Sequence, residues 1–290
     1  MNDLNKQKTL VVTTPYFPPY GGGLERYALE ISSRLASPDY NYKVIVITSG
    51  ERCGKDSVER VGDLKVYRLS YKLKVSNTPF SFRWFGKIRK ILKNEKPDLI
   101  NIHMPVPGIG DVANLVSRGI PKIVTYHSGT ISKGKSLLGL VSCLYEVVFL
   151  KVLLDNAKSI ICSSDFIRFG FLKKYEYKSI TITPGVNSDV FKPDPSKKTS
   201  YPSILFVAGL NKTEQYKGLQ TLIDTMVEVK KIIPDIVLNV VGDGDMREEY
   251  ERRVKDLGLE NSIKFFGRLT GDRLAEKYQK SHLFVSASTN

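Results

Sequence analysis

The residues best placed to do chemistry stand where apolar runs end. The segment Tyr16-Phe17-Pro18-Pro19-Tyr20-Gly21-Gly22-Gly23-Leu24-Glu25 follows Thr9-Leu10-Val11-Val12-Thr13-Thr14. It precedes a pattern that puts Leu24, Ala28, Ile31 and Leu35 on one face. That order predicts strand, glycine-rich loop and helix, a junction that turns bare backbone N–H groups and the positive end of a helix toward an anion such as phosphate. Its glycines admit positive φ and remove side chains that would block close approach. A second candidate is Asp243-Gly244-Asp245, whose carboxylates imitate a divalent-metal pair. It follows Asn239-Val240-Val241-Gly242, the glycine turn of a strand–helix crossover. Asp243 or Asp245 therefore reads as a helix N-terminal residue, and no metal is expected.

Apolar, β-branched runs predict strands near 9–14, 42–48, 64–70, 98–103, 122–127, 159–164 and 179–186, with helical patterns between them. Strands alternating with helices imply parallel sheets of the doubly wound kind. The segment 192–202, with three prolines and no apolar periodicity, reads as a linker. After it the alternation restarts, with strands at 204–207, 236–241, 263–266 and 282–286 and helices over 218–232, 245–257 and 271–280. The expected organisation is a first domain over 1–191, the linker 192–202, and a second domain over 203–290. In such sheets ligands bind beyond the carboxyl ends of the strands. That places Glu25, His103, His127, Gly209 to Gly218, Asp243 and Gly267-Arg268-Leu269 in the functional inventory.

The net charge is +14, unevenly distributed: residues 1–195 carry 29 Lys and Arg against 17 Asp and Glu, the remainder 15 against 13. A basic first half suits an anionic partner such as a phospholipid surface, a lipid-linked diphosphate or nucleic acid. No nucleic-acid recognition module accompanies the charge. The three cysteines, Cys53, Cys143 and Cys162, are scattered and lack C-x-x-C spacing, which suits a reducing cytoplasm. No signal peptide is read at the N-terminus. The apolar stretch 137–154 is interrupted by Glu146 and Lys151 and is expected to be a buried helix. Segment 81–93 places Phe82, Phe85, Ile88, Ile91 and Leu92 on one side and Arg83, Lys87, Arg89, Lys90 and Lys93 on the other. It reads as a sheet-packing helix with a solvated basic face, a face that could also meet anionic lipid.

A longer pattern joins these pieces. In order come Pro18-Pro19-Tyr20-Gly21-Gly22, Pro97-Asp98-Leu99-Ile100-Asn101-Ile102-His103 and Thr125-Tyr126-His127. Thr183-Pro184-Gly185-Val186-Asn187 and Phe191-Lys192-Pro193 follow. The second half contributes Phe206-Val207-Ala208-Gly209, Tyr216-Lys217-Gly218, Val241-Gly242-Asp243-Gly244 and Phe266-Gly267-Arg268. From residue 9 to the last, the sequence resembles glycosyltransferase family 4, the retaining GT-B enzymes. The resemblance implies an α/β GT-B fold: two Rossmann-like doubly wound domains with parallel sheets, the first on the acceptor side and the second holding the donor nucleotide. It implies transfer of a sugar from a nucleotide-diphosphate sugar to a lipid-linked or other glycan acceptor, a hexosyltransferase-type reaction with retention and with no cofactor or metal. His127 matches the family histidine near the reacting sugar. Lys217 would hold the donor diphosphate, with Lys212 as a second cation and Gly22 and Gly23 as N–H donors. Gly267, Arg268 and Leu269 would lie on the nucleobase side, and Glu25 and His103 on the acceptor side. The implied location is cytoplasmic, at or near the inner face of a membrane.

Two departures stand out. Leu210 follows Gly209 where the family commonly has Arg, and Lys212 cannot reproduce a bidentate fork. The family's Glu-x7-Glu element would begin just beyond Asn290, so the second domain reads as incomplete and the chain as a truncated enzyme, expected to be inactive alone. A non-catalytic GT-B-like binding or assembly module on an anionic membrane is the alternative. A dinucleotide oxidoreductase is weaker, because Gly21-Gly22-Gly23 lacks Gly-x-Gly-x-x-Gly spacing.

Overall fold

The computed structural model describes residues 7–19, 22–75, 78–131 and 137–289. The chain divides into two compact units, Met1–Pro184 and Gly185–Asn290. Tyr20 and Gly21 of the glycine-rich turn, and Asn290, lie outside the described residues.

The first unit begins with β1 (Thr9–Thr14), α1 (Gly23–Ala36), β2 (Lys43–Arg52), β3 (Ser57–Val61) and β4 (Leu64–Tyr71). A small hairpin, β5 (Leu73–Val75) and β6 (Thr78–Phe80), leads to α2 (Trp84–Glu95). Then come β7 (Leu99–Met104), α3 (Ile109–Val116), β8 (Lys122–Tyr126), α4 (Leu137–Tyr145), a wide helical turn over Glu146–Leu150, α5 (Lys151–Asn156), β9 (Ser159–Cys162) and β10 (Ser179–Thr181). The main sheet has the order β10-β9-β8-β7-β1-β2-β4-β3. All its neighbours are parallel except β3, which returns antiparallel along β4. β3 and the hairpin did not register in the sequence because Ser57-Val58-Glu59-Arg60 and Leu73-Lys74-Val75 are exposed and carry little apolar signal.

Alternation along the strands sorts the core onto two faces. Leu10, Val12, Val44, Val46, Leu64 and Val66 pack with Ala28 of α1. Val11, Ile45, Ile100, Ile102, Val124 and Ile160 face a larger cluster built on α2, α3 and α5. In α2 the apolar stripe Trp84, Ile88, Ile91 and Leu92 is buried, while Arg83, Arg89, Lys90 and Lys93 are exposed. The helix over 137–156 differs from expectation. Leu150, Leu153 and Leu154 are buried, but Leu140, Val141, Leu144, Val147 and Phe149 are exposed.

The second unit holds β11 (Ser203–Val207), α6 (Leu219–Ile232), β12 (Val237–Val241), α7 (Arg247–Asp256), β13 (Ile263–Phe265), α8 (Gly271–Lys280) and β14 (Leu283–Phe284). Its four-stranded parallel sheet runs β13-β12-β11-β14. The proline-rich stretch 192–202 belongs to this unit. Gln279 donates to the Lys192 carbonyl at 3.0 Å, Lys197 donates to Gln279, and Phe191 meets the Tyr278 ring edge-on at 6.2 Å. Side chains of α8 thus hold a segment that lacks periodicity of its own.

At the far end of α2, Glu95 accepts bonds from Lys65 at 2.6 Å, Lys43 at 2.8 Å and Tyr67 at 2.5 Å, tying the helix to β2 and β4. Burial opposes ionisation of this carboxyl, but the three donors outweigh it and bring it down to about 2 from 4.5. A depressed carboxyl stabilises the fold above its ordinary value, and that contribution fades as pH falls toward the folded value. Both lysines are partly exposed, so we expect Glu95→Gln to cost only about 1–2 kcal/mol near neutrality. Urea unfolding followed against pH should show that difference vanishing by about pH 2.

Candidate functional site

In the first unit the strand order reverses between β1 and β7: the chain leaves β1 toward β2 and later returns to place β7 on β1's other side. At such a point neighbouring connections diverge and open a crevice beyond the carboxyl ends. Residues 15–19 after β1 and the histidines at the ends of β7 and β8 lie at this end of the sheet. His103 is the penultimate residue of β7. His127 follows β8 and extends the ladder through its N–H to the Met104 carbonyl at 3.1 Å.

The two imidazoles meet. His103 Nδ1 lies 3.0 Å from His127 Nε2, and the rings stack with centroids 5.1 Å apart. Tyr27 of α1 meets the His127 ring edge-on at 5.0 Å and tilts over His103 at 6.0 Å. His103 is 2% exposed, whereas His127 is only half-buried. His127 is therefore the histidine open to a ligand, and His103 stands behind it. Burial, with the neighbouring His127, pushes His103 down to about 3; burial pushes His127 down to about 4. Both rings are neutral at pH 7, so one donates its single proton across the pair and the other accepts.

Tyr27 went unnoticed in the sequence. It lies two residues past Glu25 on the helix that leaves the glycine turn, so α1 carries both the turn and the ring that packs on the histidines. Glu25 is 8% exposed and accepts the Gly22 N–H at 2.6 Å. That N–H, expected to face a diphosphate, is thus already paired, and Glu25 closes the first turn of α1 as a capping residue. Gly23 is exposed, and a Cβ there would meet no atom within 4 Å. Arg68, also missed, holds the strand-to-turn segment by donating to the Phe17 carbonyl at 3.2 Å and the Pro18 carbonyl at 2.5 Å. After His127, Glu146 accepts the Ile131 N–H at 2.5 Å and the Thr130 hydroxyl at 2.8 Å, fixing that loop to the helical segment 137–156. Beside it, Tyr145 donates to Asp111 at 2.8 Å. Burial raises the Asp111 carboxyl to about 6 against the bonds from the Gly108 N–H and Tyr145.

In the second unit the turns after β11 and β12 are pressed together. Leu210 N–H donates to the Asp243 carbonyl at 3.0 Å, and Met246 N–H to the Leu210 carbonyl at 2.9 Å. Gly242 at φ +151 lies against the Ala208 carbonyl, and a Cβ on Gly244 would overlap the Leu210 backbone. The Leu210 side chain is 2% exposed and belongs to the core. Position 210 therefore points inward.

Lys212 and Lys217 bracket a tight helical turn, Lys212–Lys217, that ends on Gly218 at φ +78. Lys212 is exposed. Lys217 is half-buried, with its ammonium 4.9 Å from the Tyr216 ring centroid. Between them Glu214 turns its carboxylate over Gly209, where Asn211 donates to it at 2.7 Å. Gly267 at φ +66 passes its carbonyl to the Gly242 N–H at 2.9 Å. Arg268 is exposed and Leu269 is 9% exposed, its side chain packed with Leu205 and Val241. Only the backbone of Leu269 is left to face a ligand. Asp243 accepts from the Gly244 N–H at 2.9 Å and pairs with Arg247 at 3.3 Å; Asp245 accepts the Lys212 N–H at 2.8 Å. Both carboxylates are thus committed to structure.

Two units of helix-flanked, mostly parallel sheet match the GT-B fold of solved glycosyltransferases. The chain belongs to Glycosyltransferase Family 4, whose model matches residues 21–190; a second model, Glycosyl transferases group 1, matches residues 187–290. It is similar to the Escherichia coli O-antigen chain mannosyltransferase C, at 26% identity over 91% of this chain and 68% of that protein. It is also similar to the Schizosaccharomyces pombe phosphatidylinositol N-acetylglucosaminyltransferase gpi3 subunit, at 23% identity over 96% of this chain and 60% of that one. The chain thus spans roughly two thirds of the length of these relatives. Among solved structures, sucrose-phosphate synthase from Thermosynechococcus elongatus superposes with a TM-score of 0.76 at 19% identity, over 97% of this chain and 76% of that one. That likeness concerns the fold.

A histidine whose folded value is depressed stabilises the fold above its ordinary value, because below it the unfolded chain takes up protons that the folded pair refuses. Stability is therefore expected to fall as pH drops below 6.5, toward the folded values of about 4 and about 3. Replacing both His103 and His127 by Phe should remove that slope in urea unfolding, and the wild-type imidazole 15N signals of the pair should not titrate between pH 7 and pH 5.

Proposed function

We propose that this protein transfers a sugar, with retention of anomeric configuration, from a nucleotide-diphosphate sugar to a lipid-linked glycan or lipid acceptor, in a hexosyltransferase-type reaction. The observation that carries the reading is the neutral His103–His127 pair at the switch-point crevice, with His127 the open member. The two relatives support the acceptor class: one is an O-antigen chain mannosyltransferase, the other a phosphatidylinositol N-acetylglucosaminyltransferase subunit.

In the proposed reaction the bond from the anomeric carbon to the diphosphate oxygen breaks and its electron pair stays on the diphosphate. An acceptor hydroxyl oxygen bonds to that carbon, and its proton passes to the departing phosphate. Charge thus grows on the diphosphate, where the Lys217 ammonium is the proposed counter-charge and fixed dipoles lower the barrier. The neutral His127 ring is suited to hydrogen-bond a sugar hydroxyl, and His103 fixes its orientation. Gly267 and the Leu269 backbone are proposed for the base, with Arg268 at the rim, and Lys212 and the Gly23 N–H as further anion contacts. Glu25, as the cap of α1, is proposed to act through the loop geometry.

The reaction is proposed to need no metal, because the pair suited to hold one, Asp243 and Asp245, is already bonded to Arg247, Gly244 and Lys212. The proposed site of action is the cytoplasmic face of a membrane. Among the described residues no helix is long and apolar enough to cross one.

Donor binding by calorimetry, with the protein extended to the length of its relatives, is the test. A uridine, guanosine or adenosine diphosphate sugar should bind saturably, and no binding of any of these would overturn the reading. With the matched donor, Lys217→Ala should lower the transfer rate by about 10²–10³-fold, and a chelator such as EDTA should leave it unchanged.

A further inference from the structure

The two loops that leave the histidine strands are tied to adjacent residues of one helical segment. Beyond β7, residues 105–108 lead from Met104 into α3, and the Gly108 N–H donates to Asp111 at 2.7 Å. The other oxygen of that carboxylate accepts the Tyr145 hydroxyl at 2.8 Å. Beyond β8, His127 opens the segment 128–131, where the Ile131 N–H and the Thr130 hydroxyl donate to Glu146 at 2.5 Å and 2.8 Å. Tyr145 ends α4, and Glu146 begins the wide turn Glu146–Leu150. Successive helical residues point about 100° apart, so sequence neighbours can serve two different loops. A helical turn of this wide kind is uncommon and recurs at functional sites.

The surroundings give the tie firm footing. Leu150, Leu153 and Leu154, which follow Glu146, are buried in the core shared by the sheet with α2, α3 and α5. Gly108 at φ +122 lies against the Pro79 carbonyl, which a Cβ there would approach to 2.9 Å. His127 is held by its N–H bond to the Met104 carbonyl and by the Ser163 hydroxyl, which donates to its own carbonyl at 3.2 Å. The strands thus fix where each loop starts, and the bonds to Tyr145 and Glu146 fix where it goes.

We propose that Tyr145 and Glu146 are positioning residues: together they form one strap that holds the loops after His103 and His127 in a fixed relation and so shapes the approach to the His127 ring. Neither residue touches the reacting groups. Because both attachments stem from one helical turn, releasing either shifts that turn and loosens the other loop as well. Two independent contacts would instead let each loop loosen alone. The proposal deepens the reading of the histidine crevice and rests on that reading for its purpose. The strap itself is measured with neither donor nor acceptor, so either can fail alone.

Amide hydrogen exchange, resolved by NMR on the full chain, tests it with the variants Tyr145→Phe and Glu146→Ala. Tyr145→Phe removes only the hydroxyl on Asp111, yet the Ile131 amide should exchange at least about fivefold faster. Glu146→Ala releases Ile131 directly, and the Gly108 amide should accelerate by a similar factor. Amides of β1 and β2 should keep their wild-type rates in both variants, which separates release of the strap from unfolding. The His127 imidazole, pushed down to about 4 by burial, should titrate at higher pH in each variant as its loop admits water. A merely structural contact would leave that titration unmoved. Loosening of only the near loop in each variant, general acceleration through β1 and β2 in both, or an unchanged His127 titration would each overturn the proposal.

Discussion

The structure of the first unit depends on β1 being hydrogen-bonded on both edges, to β2 on one side and β7 on the other. A central parallel strand has its backbone groups satisfied by two neighbours, and the chain must reach those neighbours through crossovers. Because the two crossovers depart in opposite directions, they cannot close over the strand ends. The crevice follows from the pairing pattern, as do the neighbours it receives: the turn after β1 and the ends of β7 and β8. The His103–His127 bond is available only because β7 and β8 run side by side, with His103 opposite Thr125 in register.

Within this frame the balance of burial and polarity decides which group can act. Two imidazoles taken from water would each favour the neutral form, and pairing them satisfies one nitrogen on each ring without a charge. The more exposed ring keeps its remaining nitrogen for a ligand. The second unit reaches its arrangement by steric means. Its turns after β11 and β12 approach so closely that Gly242 and Gly244 are needed, and the same approach draws Leu210 into the core.

Much of this could be read from the residues. The β-branched runs located the central strands because buried parallel strands are apolar on both faces. The resemblance then named the histidine and lysine positions. What escaped was set by contacts between distant residues. Nothing local to Tyr27 says that its ring will pack on two histidines, and Arg68 reaches Pro18 across fifty residues of sequence. The segment 192–202 looked like a linker because its order comes from α8. The stretch 137–154 looked buried because apolar content does not reveal whether a partner covers it. Gly22 offered an N–H on paper that the side chain three residues later had already taken.

The interlocked turns of the second unit also bear on how this family member could be re-engineered. Placing an arginine at position 210, as the resemblance would suggest, is a natural design. Here it would force a guanidinium into the apolar core of the second unit, against the Gly242 and Gly244 turn. Diversification is better directed at exposed positions such as Thr213 and Gln215, with Lys212 and Lys217 left in place. Positions 208, 210, 242 and 244 are sterically coupled, so a bulkier residue at one presses on the backbone of another.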